Sequence, residues 1–350
     1  MHRLFEQREQ YIKTAFELTP AEQTAIVEMN QWLPDSMIDV HAHSNLPEHV
    51  NYIPETSYNH MISTFPSFSI EESQAAHALF HPDKNIRSLR FAKTFRGIAH
   101  RAANDYLLNA SPATDRVALF GLPEDPDYTI SMLDDQRISA LKMYYSYVVP
   151  TAKTIYQTFS KEILNAAESK NIPIILHVPK IITQSVDDVL QMQQDYPDLR
   201  VSIAHLGSTK FDIDGLQSAY SRVEEETNVL LDTALNPSTE VATRALATFG
   251  PERLMYGSDE PLNMLRSVPY IHPENGQRIA TEFPYHWQEP TEHAQYKHLA
   301  AGAIHSHWSA LGAVRHAVEI LYPDEPAQNS VKQQIFHDNA ARFFGFELTP

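Results

Sequence analysis

Met37-Ile38-Asp39-Val40-His41-Ala42-His43 reads as a short, buried β-strand that ends in two histidines. Side chains alternate faces along a strand. His41 and His43 therefore point the same way, with Met37 and Asp39 on their face and Ile38, Val40 and Ala42 on the other. Two imidazoles about 7 Å apart on one strand face can reach one metal ion. The pair alone is weak evidence, because 18 histidines in 350 residues produce about one His-x-His by chance. His305-Ser306-His307 is a second such pair. It lies in a helical pattern, where residues two apart sit about 200° round the axis and cannot face one ion. A helix with two partly exposed histidines is the expectation there.

Seven further apolar runs accompany this strand, each followed by helical sequence. They are His60–Phe65, Val117–Leu122, Ile138–Tyr144, Ile172–His177, Leu199–His205, Val229–Ala234 and Arg253–Asp259. Such alternation specifies a parallel sheet, and eight units over about 225 residues match an α/β (β/α)8 TIM barrel. An open doubly wound sheet has the same rhythm, but no Gly-x-Gly-x-x-Gly loop supports a nucleotide-binding version. The expected organisation is one domain over 1–350. It comprises a helical preface (1–36), the barrel strands (37–259), a lid-like excursion after strand 8 (260–300) and closing helices (301–350). Thr19-Pro20-Ala21-Glu22 has the form of a capping box that opens the second preface helix. Residues 70–109 read as largely helical, with Arg90, Arg96 and Arg101 on solvated faces or, as the alternative, serving a substrate carboxylate. A helix begins at Ser185 as its cap, and Gly345 ends the last one. The excursion is rich in Pro, His and aromatics, including Tyr285, His286 and Trp287. It is read as a pocket wall or as an arm toward a second subunit.

Composition narrows the function. Asp and Glu number 44 against 27 Lys and Arg, a net charge of −17, which argues against a non-specific nucleic-acid or anionic-membrane binder. There is no cysteine, so disulfides, thiolate metal sites and cysteine nucleophiles are excluded. The N-terminus lacks an apolar core with a cleavage site, and no window has the apolar length of a membrane span. A cytoplasmic enzyme with a small-molecule substrate is the expectation. The preface and the excursion both offer surfaces for a homodimer.

The chemistry gathers at strand ends. His41 and His43 end the first strand, Lys142 the fourth, His177 the fifth, His205 the sixth and Asp259 the eighth. In a barrel these ends ring one mouth. Asp232, near the end of the seventh, is placed to orient a histidine or to serve the sheet end. Tyr144, Tyr145 and Tyr147 crowd the exit of the fourth strand, lining a pocket or packing beneath the excursion. No Gly-x-Ser-x-Gly elbow points to a serine hydrolase.

Five segments together resemble the amidohydrolase superfamily, in particular its amidohydrolase-related branch with the aminocarboxymuconate semialdehyde decarboxylase-like enzymes. They are Ile38–His43, Ile174–His177, Ile203–Gly207, Pro251–Pro261 and Asn339–Gly345, in family order. The resemblance implies a divalent metal, most often zinc, with His41, His43, His177 and Asp259 as ligands. It implies His205 as the nearby acid/base. In two-metal relatives a strand-four lysine is carboxylated and bridges the ions, so Lys142 is either a second-metal bridge or a substrate contact. One ion is expected, with two as the alternative. Ligation by N and O alone leaves Zn, Mn, Fe and Co open. The leading expectation is hydrolysis of an amide, ester or lactone by a metal-activated water, with Asp259 taking its proton and His205 serving the carbonyl or leaving group. The alternative is non-oxidative decarboxylation of an unsaturated carboxylic acid.

Overall fold

A computed structural model describes residues 2–51, 64–95, 97–145, 151–284 and 288–347. Two helices, α1 (His2–Phe16) and α2 (Pro20–Trp32), precede the first strand. Thr19 caps α2 in a complete capping box, its hydroxyl accepting from Glu22 N and its own N–H donating to the Glu22 carboxylate.

Eight parallel strands follow in sequence order: β1 (Ser36–His43), β2 (Asn85–Phe91), β3 (Arg116–Phe120), β4 (Ile138–Met143), β5 (Ile174–Leu176), β6 (Val201–Ile203), β7 (Leu230–Asp232) and β8 (Leu254–Met255). The sheet returns on itself. Val40 N donates to Tyr256 O at 3.0 Å, Asp259 N to His41 O at 2.8 Å and His43 N to Glu260 O at 2.9 Å. One apolar cluster of Ile38, Val40, Leu89, Phe91, Ala118, Ala140, Ile175 and Met255 fills the barrel, with Phe343, Phe344 and Phe346 of the C-terminal segment packed against it. Alternate residues such as Val117, Leu119, Leu141, Ile174, Val201 and Leu231 pack outward into the helical layer. This is the (β/α)8 barrel expected from the alternation.

The second strand lies elsewhere than the apolar pattern indicates. It is Asn85–Phe91, inside the stretch read as helical, flanked by helices Ile70–Phe80 and His100–Ala110. The run 60–65 is not that strand, and its residues 60–63 lie outside the described residues. The reason is chemical: β2 carries Arg87, Ser88 and Arg90 in buried positions. Arg90 donates to Asp115 at 2.6 Å and to Ser73 at 2.8 Å, and Ser73 donates to Glu260 at 2.6 Å. Arg90 is thus a buried structural cation rather than a solvated helix residue. Arg101 is exposed and pairs with Asp125, and Arg96 lies outside the described residues.

Three smaller expectations also change. The helix placed at Ser185 runs from Ile182 to Asp195, and Ser185 is buried within it. His305 and His307 are both buried, not partly exposed, because the N-terminus of helix Ser306–Leu321 inserts between α2 and helix Ile70–Phe80. The excursion forms an antiparallel hairpin, β9 (Ser267–His272) with β10 (Gly276–Thr281), followed by a short helix Pro290–Tyr296. Tyr285, His286 and Trp287 lie outside the described residues, as does Tyr147. Gly345 ends the last helix at φ 73°, as expected.

Candidate metal centre

β1 does not keep one alternation along its length. Ile38 and Val40 belong to the barrel interior and Met37 to the outer layer, the reverse of the expected faces. The pairing with β2 shifts register between Asp39 and Ala42. A bulge of this kind inserts an extra residue and re-aims the side chains beyond it. It brings His41 and His43 into the interior, where their rings lie 5.1 and 4.5 Å from that of Phe91. Asp39 stays behind, accepting from the backbone N–H groups of His41 and Ser258, both at 2.9 Å, and from the Ser258 hydroxyl at 2.5 Å. It ties β1 to the chain after β8. Gly257 permits this closeness: a Cβ there would stand 3.0 Å from His41 Cβ and 3.2 Å from Ala234 Cβ.

Each histidine is held by its Nδ1. His41 Nδ1 donates to Asp232 at 2.9 Å, His43 Nδ1 to Ala92 O at 3.1 Å, His205 Nδ1 to Ala234 O at 3.0 Å and His177 Nδ1 to Val178 O at 3.1 Å. A carbonyl or carboxylate oxygen only accepts, so these bonds put a proton on Nδ1 and turn each Nε2 toward the site. Three of the Nε2 atoms lie around the Asp259 carboxylate. His43 is 3.1 Å and His41 3.6 Å from Oδ1, and His205 is 4.0 Å from Oδ2. The His205 ring in turn lies 4.7 Å from His41 and 5.1 Å from His177.

The ligand atoms of His41, His205 and Asp259 all fall within 4.8 Å of one another. Imidazole nitrogens and a carboxylate that converge on one point form a donor set of the kind that holds a cation. The donor set therefore fits a divalent metal.

Electrostatics agree. Burial pushes His43 down to about 4 and His205 down to about 3, and holds His177 well below its ordinary value. Burial alone would raise Asp259. The His43 hydrogen bond and the neighbouring His41 and His205 outweigh it and hold the carboxyl well below the usual range. Asp232 is likewise brought to about 2 against the cost of burial, by His41 and His205.

Backbone strain clusters here too. Among the described residues, six non-glycine residues have positive φ, and five of them surround the site: His205, Leu206, Ser208, Leu235 and Asp259. Each costs about 1 kcal/mol or more, and such strain concentrates at functional sites.

Three lysines lie within the electrostatic reach of Asp259. Lys142 is buried on β4 with its ammonium over the Phe91 ring at 5.1 Å, and its Nζ has no hydrogen-bond partner. Burial lowers it to about 8, partly offset by Asp232 and Asp259. Lys93, just beyond β2, donates to Phe65 O, and Lys210, five residues after His205, donates to Leu235 O at 2.5 Å. Burial lowers both to about 7, against the pull of Asp259. Sequence reasoning missed Lys93 and Lys210. Their signal was position just past a strand end, and for Lys93 that strand was itself unrecognised.

A cavity of about 290 Å³ opens beside His177 and His205, with Tyr145, Ser208, Lys180 and Lys210 in its wall. The Tyr144 ring meets His177 edge-on at 4.9 Å, and the Tyr145 ring lies tilted against it at 5.2 Å. A larger cavity, about 670 Å³, lies at the opposite end of the strands. Its Arg116 and Arg200 are committed to the carbonyls of Gly345 and Phe343, bracing the C-terminal segment.

The amidohydrolase family model (Amidohydro_2) matches residues 38–346. Among solved structures, an amidohydrolase from Burkholderia multivorans with bound zinc superimposes with TM-score 0.57 at 13% identity, over 89% of this chain and 99% of its own. A protein described as a 2-pyrone-4,6-dicarboxylic acid hydrolase from Pseudomonas putida gives 0.55 at 15% identity, over 91% and 100%. 5-Carboxyvanillate decarboxylase from Novosphingobium aromaticivorans, with manganese and 3-methoxy-4-hydroxy-5-nitrobenzoic acid bound, gives 0.52 at 13% identity, over 90% and 98%. At these identities the likeness is one of fold. A search of curated proteins returned no match. The family match spans the strands that carry all four histidines and Asp259, and by it this chain belongs to the amidohydrolase family.

Proposed function

We propose that the chain is a metal-dependent, non-oxidative decarboxylase of a small unsaturated or aromatic carboxylic acid. One observation carries this reading above hydrolysis: the buried, unpaired lysine beside the histidines. Lys142 is a buried ammonium with no hydrogen-bond partner, on the strand face that carries the histidines. Lys93 and Lys210 also feel the charge of Asp259, in a chain of net charge −17. Hydrolysis of a neutral amide or ester needs no such cation, whereas a substrate carboxylate does. The fold likeness to a carboxylate-processing decarboxylase is in keeping with it.

In this reading His41, His43, His177 and Asp259 hold one divalent ion, zinc or manganese. When bound, the ion supplies Lewis acidity toward the substrate's oxygens. Lys142 offsets carboxylate charge from below. His205, held through Nδ1 by Ala234, presents Nε2 toward Asp259 and the cavity, placed to relay a proton from solvent to the substrate rather than to store one. That proton goes to the unsaturated carbon bearing the carboxylate. The carbon–carboxylate bond then breaks, its electron pair returns to the carbon skeleton, and CO2 leaves, with one proton consumed per turnover.

Hydrolysis of a lactone remains the second reading. The fold likeness to the protein described as a 2-pyrone-4,6-dicarboxylic acid hydrolase favours it.

The test combines metal content by elemental mass spectrometry with CO2 release from a panel of aromatic and unsaturated acids. We expect about one equivalent of metal, lost in His41→Ala but kept in Lys142→Ala and His205→Asn. CO2 should match acid consumed, and His205→Asn should lower kcat about 100-fold or more. Ring-opening of lactones without CO2 would select hydrolysis instead.

A further inference from the structure

We propose that the cavity at the opposite end of the barrel from the histidines is a second ligand site, one that takes a small organic phosphate. Its wall carries Arg116, Arg137, Arg200 and Arg342, four of the chain's 16 arginines. Eighteen lining residues drawn at that frequency would include about one. The state of these charges says more than their number. Among the described residues, ten arginines sit in ion pairs with a carboxylate, Arg137 among them. Arg116, Arg200 and Arg342 do not. Arg116 donates to Gly345 O at 3.1 Å and to Asp115 O at 3.0 Å, and Arg200 to Phe343 O at 2.7 Å and to Asn171 O at 2.6 Å. Arg342 donates to Asn339 Oδ1 at 2.7 Å. Every one of these acceptors is neutral. They hold the guanidiniums in place without cancelling their charge. Asp115, also in the wall, gives its carboxylate to Ser88 N and Arg90 instead.

Two donors at this wall are left over. Arg200 Nε and Ser111 Oγ are buried and have no hydrogen-bond partner. Such donors are costly to leave unmet, and an anion with several acceptor oxygens meets them. Guanidinium forks match carboxylate and phosphate oxygens alike, but three of them exceed the charge of one carboxylate. A phosphate monoester carries about two negative charges near neutral pH and three acceptor oxygens. Val117, Ile138 and Phe344 make part of the same wall apolar, so the phosphate carries an organic body. A volume of about 670 Å³ accommodates both. The guanidiniums are fixed to the core of the barrel. Arg200 lies over the Phe343 ring and Arg116 over the Phe346 ring, each at 5.5 Å, and both phenylalanines pack against the cluster that fills the barrel.

The test is calorimetric binding of phenyl phosphate and of benzoate, at fixed ionic strength, to protein purified without chelator. Wild type should bind phenyl phosphate about tenfold or more tighter than benzoate. Arg342 is exposed and makes a single side-chain hydrogen bond, so Arg342→Gln should fold as wild type does. It should weaken phenyl phosphate about tenfold, and Arg342→Lys, which keeps the charge but not the fork, should weaken it less. A phosphate could also reach a metal ion, and His41→Ala separates the two sites. Binding kept in His41→Ala and weakened in Arg342→Gln supports the cavity. Binding lost in His41→Ala and unchanged in Arg342→Gln puts the probe at the metal centre and overturns the proposal. So does equal binding of the two probes by wild type, or binding of neither. The readout needs no turnover, so none of these outcomes depends on which reaction the chain performs.

Discussion

Asp232 serves two histidines at once. Its Oδ2 accepts from His41 Nδ1 at 2.9 Å, while Oδ1 accepts from the backbone N–H of His205 at 2.8 Å and of Ala234 at 3.1 Å. It touches neither the cavity wall nor Asp259, yet it sets the tautomer and tilt of His41 and the strained turn that carries His205. Asp232→Asn keeps the shape but replaces a charged acceptor with a neutral one. Metal affinity should fall about 10- to 100-fold, as losses of such supporting carboxylates do. Competition against a chelator of known affinity measures it, and an unchanged affinity would show that His41 needs no such support. The sequence placed Asp232 near a strand end, where orienting a histidine was one of two readings. Only the 2.9 Å contact chooses it.

Helix Ile70–Phe80 and helix Ser306–Leu321 meet through two buried imidazoles rather than through apolar packing alone. His81 Nε2 and His307 Nε2 are 2.8 Å apart. His81 Nδ1 donates to Asn30 Oδ1 at 2.8 Å, and Asn263 Nδ2 donates to His307 Nδ1 at 3.1 Å. The chain of bonds is complete only when both rings are neutral, with His307 donating to His81. His77, His305 and Lys84 face the pair and add to the cost of charge. Burial lowers His81 to about 3 and His307 well below its ordinary value. The unfolded chain binds protons at these rings below about pH 6.5, and the folded one does not. Stability from the pair is therefore complete above pH 6.5 and falls as pH drops toward 3, by up to about 1.4 kcal/mol per unit for each ring. Urea unfolding between pH 7.5 and 4.5 should give a shallower slope for His307→Gln than for wild type; parallel slopes would refute the account. A His-x-His pair in a helix was readable as unable to share one ion. Its burial was not, because the partner His81 lies 226 residues away.

At the scale of the molecule, His41, His205 and Asp259 come from β1 and from just beyond β6 and β8. An ion held there would link separate strands of one barrel, and it would bind only when the strands have closed. Binding to the folded state alone stabilises it, by about 2.7 kcal/mol at a free-ion concentration of 100 Kd. Dialysis against a chelator should lower Tm, added Zn or Mn should restore it, and His41→Ala should show neither change. A Tm indifferent to chelator would argue against a resident metal. Among the described residues no helix is long and apolar enough to cross a membrane.

The alternation of apolar runs and the histidines at their ends made the barrel legible without coordinates, since a parallel sheet buried on both faces must be apolar and its strand ends must converge. Thr19-Pro20-Ala21-Glu22 and Gly345 were legible for the same reason: their physics is local. β2 was not, because Arg87 and Arg90 break the apolar pattern and are made tolerable by partners such as Asp115 and His337 that only folding supplies. Nor was the bulge between Asp39 and Ala42, which reverses the face of β1 and turns His41 and His43 inward. The left-handed turns at His205 and Asp259 and the placing of Lys93 and Lys210 have the same origin. Residue types and strand order determined which chemistry was present. The tertiary contacts decided which way it faced, because the orientation of a side chain depends on neighbours distant in sequence.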